Sequence, residues 1–256
     1  MATEVICGVN AVYEVLRAKK RRVHEIYLAP GKHPHTVDHI QAEAKKAGVS
    51  VRGADRAEIA KIAKIDKNQG VAARVERFSY TAVEDIIDAA AADDPPGFIV
   101  ILDDIKDPQN LGSLTRTAHL TGAAGLVIPK DRSASVGPAA TRASAGATEY
   151  LPIAQVTNLS NALKYMKDKG FWVAGAEGGS KDMLYGYDFT DRPHAIVMGG
   201  EGSGIRRLVK EKCDILLSIP MKGAVGSYNV SVAGALFMGE VNRQRWSKNP
   251  CKSHTF

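Results

Sequence analysis

The sequence predicts an α/β protein in two parts, a small α/β unit followed by a larger one built on a mostly parallel sheet. Three observations carry that prediction. Short apolar runs of strand length alternate with amphipathic, helix-length segments along the whole chain. In the second part the runs are continuously apolar, the pattern of strands covered on both faces. Between the parts stands Asp93-Asp94-Pro95-Pro96-Gly97, which no helix can continue, and the boundary falls there.

Each element has a local reason. Residues 10–18 place Val12 and Leu16 on one helical face, residues 23–28 alternate as a strand, and residues 37–47 form a second helix stopped by Gly48. A short strand over 49–52 leads to Asp55, a natural N-cap for a helix over 56–64, and residues 71–75 read as another strand. The run 79–97 is acidic, alanine-rich and helix-like. Beyond it the expected order is strand 98–102, helix 110–120, strand 125–128, strand 151–154, helix 159–169 and strand 171–176. Strand 195–198, helix 205–210, strand 215–219 and a last helix over about 229–246 complete the chain.

Composition narrows the class. With 45% hydrophobic and 24% charged residues, a disordered or fibrous chain is excluded. No apolar run approaches the ~20 residues a bilayer crossing needs, and the first ten residues lack a signal-peptide pattern, so a cytoplasmic protein with no membrane partner is expected. Cys7, Cys213 and Cys251 share no CxxC spacing and suggest neither disulfide nor metal site. The net charge of +6 is unevenly placed: residues 1–80 hold 15 Lys or Arg against 9 Asp or Glu, whereas the remainder is neutral. A basic module joined to a neutral one suggests a polyanion-binding part and a part that does chemistry, although a basic solvated surface would look the same.

In a parallel sheet, ligands gather at the carboxyl ends of strands, and three loops there stand out. The first carries Asp107-Pro108-Gln109-Asn110-Leu111-Gly112 and continues as helix to Arg116, a cation fit for a phosphate or for an ordinary helix-face ion pair. The second is Gly199-Gly200-Glu201-Gly202-Ser203-Gly204, where the backbone can approach a ligand and the following helix start favours an anion. It lacks the Gly-Lys-Ser/Thr ending of a P-loop. The third runs from Pro220 to Ala233; its Ser227 or Asn229 can cap the last helix or orient a sugar hydroxyl. Ala233, Gly234 and Ala235 make one side of that helix thin enough for close helix packing, internal or between subunits.

Together the loops resemble the three motifs of the SpoU family, the TrmH-type RNA 2′-O-ribose methyltransferases. The matching residues are Asp107-Pro108-x-Asn110-x-Gly112-x-x-x-Arg116, Met198-Gly199-x-Glu201-Gly202-x-Gly204, and Ile219-Pro220-Met221-x-Gly223 with Ser227-x-Asn229-Val230-Ser231-Val232-Ala233. Gly8-Val9-Asn10-Ala11-Val12 and Gln69-Gly70-Val71 are similar to the ends of the small ribosomal-protein-like domain of the rRNA-methylating RlmB branch. Tyr228 stands where the family usually has leucine, and Asn68 where the branch often has histidine.

The resemblance implies an N-terminal RNA-binding domain (1–78), a linker (79–96) and a knotted SPOUT methyltransferase domain (97–256) that forms a trefoil and works as a homodimer. It implies S-adenosylmethionine as donor, S-adenosylhomocysteine as product, no metal, and RNA as partner: a guanosine of large-subunit rRNA, or alternatively a tRNA. Gly199, Gly200, Ile219, Met221 and Tyr228 would contact the donor; Asn110, Arg116, Glu201, Ser227 and Asn229 are the catalytic candidates. The family's usual general base is the arginine, but a guanidinium with a pKa above ~12 stays protonated. Arg116 is therefore expected to anchor phosphate and stabilise the developing alkoxide, while Glu201, a water or a transiently neutral Arg116 takes the proton. Two other classes remain open at this point, a phosphotransferase built on the glycine loop and a non-catalytic RNA-binding protein.

Overall fold

A computed structural model describes residues 2–31, 35–66 and 68–248. In chain order the first elements are β1 (Thr3–Cys7), α1 (Val9–Ala18), β2 (Val23–Leu28), α2 (His35–Ala47), β3 (Ser50–Gly53), α3 (Arg56–Ala63) and β4 (Val71–Glu76). Then follow α4 (Val83–Ala92), β5 (Phe98–Asp103), α5 (Pro108–Leu120), β6 (Gly125–Pro129), α6 (Pro138–Ala143), β7 (Ile153–Val156), α7 (Leu159–Asp168) and β8 (Trp172–Ala176). The chain ends with β9 (Asp182–Met183), β10 (His194–Gly199), α8 (Arg207–Lys210), β11 (Ile215–Ser218) and α9 (Val230–Lys248). They form two compact units, one of Met1–Ser79, Leu111–Arg116 and Ser135–Tyr150, the other of Tyr80–Asn110, Thr117–Ala134 and Leu151–Phe256.

The first unit is a four-stranded mixed sheet of order β1-β4-β2-β3. Strand alternation sorts its residues: Ile6, Ile26 and Ala73 join the core under α1 and α2, while Cys7, Tyr27 and Ala72 face Ile59 of α3. Asp55 caps α3 as its sequence position predicts, accepting from Glu58 N at 2.8 Å. Strand β1 is absent from the sequence reading, because five residues that include a glutamate carry too little periodicity. Pairing with β4 makes it a strand. The short helix α6 was likewise not anticipated. It belongs to this unit, where its Ala143 and the carbonyl of Ala140 would collide with a Cβ on Gly112, at 2.5 and 2.6 Å.

The second unit holds seven strands in the order β7-β6-β5-β10-β8-β11-β9, every pair parallel. The central β5 is buried along its whole length, as its continuous apolar run requires. Late-coming β10 pairs with both β5 and β8. One face is covered by α4 and α7, whose Ile87, Leu163 and Met166 join Ile99, Ile101, Val173 and Val197 in a common core. Each such fully buried aliphatic side chain contributes roughly 1.5–3 kcal/mol. Helix α4 thus makes the acidic run 79–97 part of this core, approaching β6 so closely that a Cβ on Gly125 would meet Ile86 Cγ2 at 2.4 Å. On the other face α9 packs against β10 and buries Phe237, Met238 and Val241.

Two of the boundary shifts have a local cause. The strand expected at 151–154 begins at Ile153, since Pro152 has no N–H to donate to a ladder. The helix expected from Ile205 starts at Arg207, because Arg206 is extended. Cys7 is buried and Cys213 partly so; Cys251 lies outside the described residues. Among the described residues no helix is long and apolar enough to cross a membrane, and no group of His, Cys, Asp or Glu could hold a metal ion.

Candidate active site

The loops after β8, β10 and β11 surround a cleft of about 470 Å³. Its walls are apolar at Leu217, Ile219, Met221 and Phe237, and backbone-rich at Gly199, Gly200 and Gly204. The glycines are there for geometry. Gly200 and Gly204 exchange backbone hydrogen bonds at 3.2 and 3.0 Å, closing a tight turn in which Gly202 and Gly204 take φ of 78° and 62°. A Cβ on Gly199 would meet the carbonyl carbon of Gly204 at 2.1 Å, and one on Gly200 the Asp104 carbonyl oxygen at 2.5 Å.

The base of the turn is fixed by Asp103, the fully buried last residue of β5. Its carboxylate accepts from Arg206 N at 2.8 Å and Arg206 Nε at 2.6 Å, and this bond raises the guanidinium above its ordinary value. The expectation that the helix after this loop offers N–H groups to an anion is thereby narrowed. That helix has four residues, and the amide in front of it is already held by Asp103.

Three side chains from three different loops meet beside the cleft. Asp107 caps α5, accepting from Gln109 N at 2.9 Å, and so sets Asn110 on the first turn. Asn110 Nδ2 donates to Glu201 Oε1 at 2.9 Å, Asn229 Nδ2 donates to the same oxygen at 2.6 Å, and Asn229 Nδ2 lies 3.3 Å from Asn110 Oδ1. Asn229 Oδ1 in turn accepts from Ser231 N at 2.9 Å, which anchors it at the start of α9. Glu201 Oε2 has no hydrogen bond among the described residues, so one carboxylate oxygen is positioned by two amides and the other is available as an acceptor. A smaller cavity of about 220 Å³, lined by Asp104, Lys106 and Asn110, shares Glu201 and Val230 with the main cleft.

Of the residues singled out in sequence, Gly199, Gly200, Glu201, Ile219, Met221, Ser227, Tyr228 and Asn229 all line the main cleft. Asn110 reaches it through Glu201. Arg116 does not line it: six residues further along α5, roughly 9 Å by helical rise, it is exposed and its side chain makes no hydrogen bond or ion pair among the described residues.

The SpoU rRNA Methylase family model matches residues 97–239, and a second, for RNA 2′-O ribose methyltransferase substrate binding, matches residues 5–81. The chain belongs to the SpoU rRNA methylase family. It is 37% identical over 244 residues to the 23S rRNA (guanosine-2′-O-)-methyltransferase RlmB of Shewanella oneidensis, covering 95% of this chain and 98% of that one. Identity to RlmB of Pseudomonas syringae pv. tomato is 38% over 248 residues, covering 96% and 97%. Among solved structures, the SpoU methyltransferase AviRb of Streptomyces viridochromogenes in complex with AdoMet superposes with a TM-score of 0.79 at 21% identity, covering 96% of this chain and 91% of that one. That likeness fixes the fold.

In this SpoU methylase the sequence reading missed one wall of the cleft. Glu177 and Gly178 line it from the end of β8, and Lys210 Nζ pairs with Glu177 Oε1 at 2.6 Å. The rule that led to the other loops applies here too, since Glu177 directly follows an apolar strand; without a motif resemblance it drew no notice. Of the two departures from the family pattern, Tyr228 is half exposed at the cleft, and Asn68 is buried, donating to the Arg56 carbonyl at 3.1 Å and accepting from Gly70 N at 2.9 Å. Asn68 therefore holds the turn into β4.

Proposed function

We propose that this SpoU methylase transfers a methyl group from S-adenosylmethionine to the 2′-hydroxyl of an RNA ribose, with a guanosine of large-subunit rRNA as the target. The observation that carries the reading is the meeting of Asn110, Glu201 and Asn229 at the rim of a cleft built from the other two motif loops. The RlmB names of relatives near 37% identity support the guanosine and the rRNA.

The cleft fits the donor. Its volume of about 470 Å³ lies within the ~300–1,000 Å³ usual for small-molecule sites, and apolar walls with exposed backbone suit a purine and an amino-acid tail. Gly199, Gly200, Ile219, Met221 and Tyr228 would hold it, with Glu177 and Gly178 beside them. When bound, S-adenosylmethionine supplies a methyl group activated by a positively charged sulfur. The chain's own residues must align the ribose oxygen and remove its proton. Glu201 Oε2 is the acceptor best placed to take that proton, directly or through a water, while Ser227 and Asn229 hold the sugar. Arg116, whose side chain has no partner among the described residues, carries its charge to an RNA phosphate and to the developing alkoxide.

Residues 1–78 serve as the RNA-binding module and 97–256 as the catalytic one, with 79–96 between them; the two family matches and the basic excess of the first eighty residues support that division. The trefoil knot comes with the family to which the chain belongs. The protein acts in the cytoplasm as a two-fold dimer through α9, whose half-exposed Val232 and Trp246 support it.

Calorimetry with S-adenosylmethionine, tritiated-methyl transfer to rRNA and nuclease mapping of the labelled ribose test the reading. Arg116→Ala and Glu201→Gln are each expected to lower the transfer rate about 100-fold or more, with donor affinity within a few-fold of the parent. Label on a base rather than a ribose, or full activity in both variants, overturns the assignment.

A further inference from the structure

The chain carries a basic run, Lys19-Lys20-Arg21-Arg22-Val23-His24, that the catalytic reading does not use. The fold divides it. Lys20 Nζ donates to the Tyr150 carbonyl at 3.2 Å, and Arg21 is buried with its Nε and Nη2 on Glu149 at 3.0 and 2.5 Å and its Nη1 on Glu4 at 2.6 Å. Arg21 is thus neutralised inside the unit, while the exposed Lys20 is tied only to a carbonyl. Lys19 and Arg22 are exposed, and their side chains make no hydrogen bond or ion pair among the described residues.

These two residues line a cavity of about 440 Å³ together with His24, Arg21, Val49 and the backbone at Gly48, and none of its lining residues is acidic. Two features of the backbone build it. Lys19 ends α1 in the left-handed conformation, φ 54°, which turns the chain sharply. His24 falls where the β2–β4 register slips between Val23 and Glu25, a bulge of the kind that re-aims a side chain. Its Nε2 is buried and has no hydrogen-bond partner among the described residues. Buried polar atoms are almost always satisfied, so an orphan ring nitrogen beside two unspent cations marks a place where the partner comes from outside. Of the neighbouring acids, Glu43 on α2 lies within electrostatic reach of Lys19 but is hydrogen-bonded to Lys46, and Glu25, next to His24, is bonded to Tyr27 and Arg74.

We propose that this cavity is an RNA phosphate-binding site, with Lys19 and Arg22 neutralising the backbone and His24 bonding a phosphate oxygen or the adjoining ribose. The inference rests on the reading of residues 1–78 as the RNA-binding module, and names which face of it meets RNA.

The test uses the full chain and a fluorescein-labelled RNA hairpin with a single-stranded tail, followed by polarisation across a potassium chloride series. Lys19→Ala/Arg22→Ala is expected to weaken binding roughly tenfold and to reduce the log–log salt slope by about 1.5, as the loss of two phosphate contacts requires. His24→Ala is expected to weaken binding several-fold, with S-adenosylmethionine affinity unchanged in every variant. Lys61→Ala/Arg77→Ala, which removes two exposed charges elsewhere on the unit, controls for net charge. Equal binding and slope in the Lys19/Arg22 variant and the parent overturn the site, and so does an equal loss in the control variant. Inorganic phosphate that binds the parent at the same residues without displacing RNA shows a free-anion site and also overturns it. A parent chain that binds no RNA sinks the RNA-binding reading itself.

Discussion

His194 is a buried histidine with a neutral ring's full set of partners. It is wholly inaccessible, its Nδ1 lies 2.8 Å from the Arg192 carbonyl and its Nε2 3.2 Å from the Tyr187 hydroxyl, with Phe189 packed edge-on. A ring that donates from one nitrogen and accepts at the other is neutral, and burial lowers its pKa from 6.5 to about 4. The unfolded chain therefore binds this proton at a higher pH than the folded one. Stability is undiminished above about pH 6.5 and falls as pH drops toward 4, by on the order of 3 kcal/mol. Melting temperatures of the parent should decline through that window, and His194→Gln, which cannot titrate, should show a flatter profile from a lower starting point. A parent profile as flat as the variant's would refute the assignment.

At the scale of elements, the turn after β10 and the last helix make opposite demands on small residues. In the turn a Cβ at Gly199 has backbone rather than a flexible side chain in its way, so Gly199→Ala must open the Gly200–Gly204 pairing. Calorimetry should show donor binding lost or weakened at least 100-fold in a chain that still folds. In α9 the sequence points to Ala233, Gly234 and Ala235 as the dimer face, and the structure separates them: Gly234 is buried within its own chain, Ala233 lines the cleft and Ala235 is exposed. The accessible stripe runs through Val232, Ala235, Gly239 and Trp246, at spacings of three, four and seven residues, which share one helix face. Gly234→Leu is accordingly expected to lower the melting temperature of the chain itself. Ala235→Arg should leave the fold intact and shift sedimentation equilibrium toward monomer; an unchanged dimer would exclude this face.

Across the whole molecule, the limits of the first compact unit revise an expectation that sequence encourages, that a chain beginning near Gly97 folds unaided. Segments Leu111–Arg116 and Ser135–Tyr150 belong to the same unit as residues 1–79. Glu149 is buried with both carboxylate oxygens on Arg21, and Gly146 sits so close to Glu14 that a Cβ there would approach within 2.5 Å. Removing one member of a buried ion pair costs about 3–5 kcal/mol, because the other charge is left unpaired. Arg21→Met should lower denaturant stability by that order, and a chain starting at Gly97 should be similarly compromised at Glu149. Adding Glu149→Gln to Arg21→Met should restore part of the loss, and no restoration would argue that Glu149 is not the charge responsible.

Sequence by itself determined what depends on local pattern. Continuous apolar runs gave the parallel strands, Asp55 gave a helix start, and two of the three polar loops gave most of the cleft, because such signals lie within a few neighbouring residues. Tertiary structure decided what depends on residues far apart in the chain. Strand β1 exists through its pairing with β4, Glu177 becomes a cleft wall because β8 lies beside β10, and the amides of Asn110 and Asn229 share one Glu201 oxygen although 119 residues separate them. The basic run at 19–24 shows the same division most sharply. Its composition announced charge, but only the fold, by burying Arg21 against Glu149 and leaving Lys19 and Arg22 unpaired, decided which of those charges are free to meet another molecule.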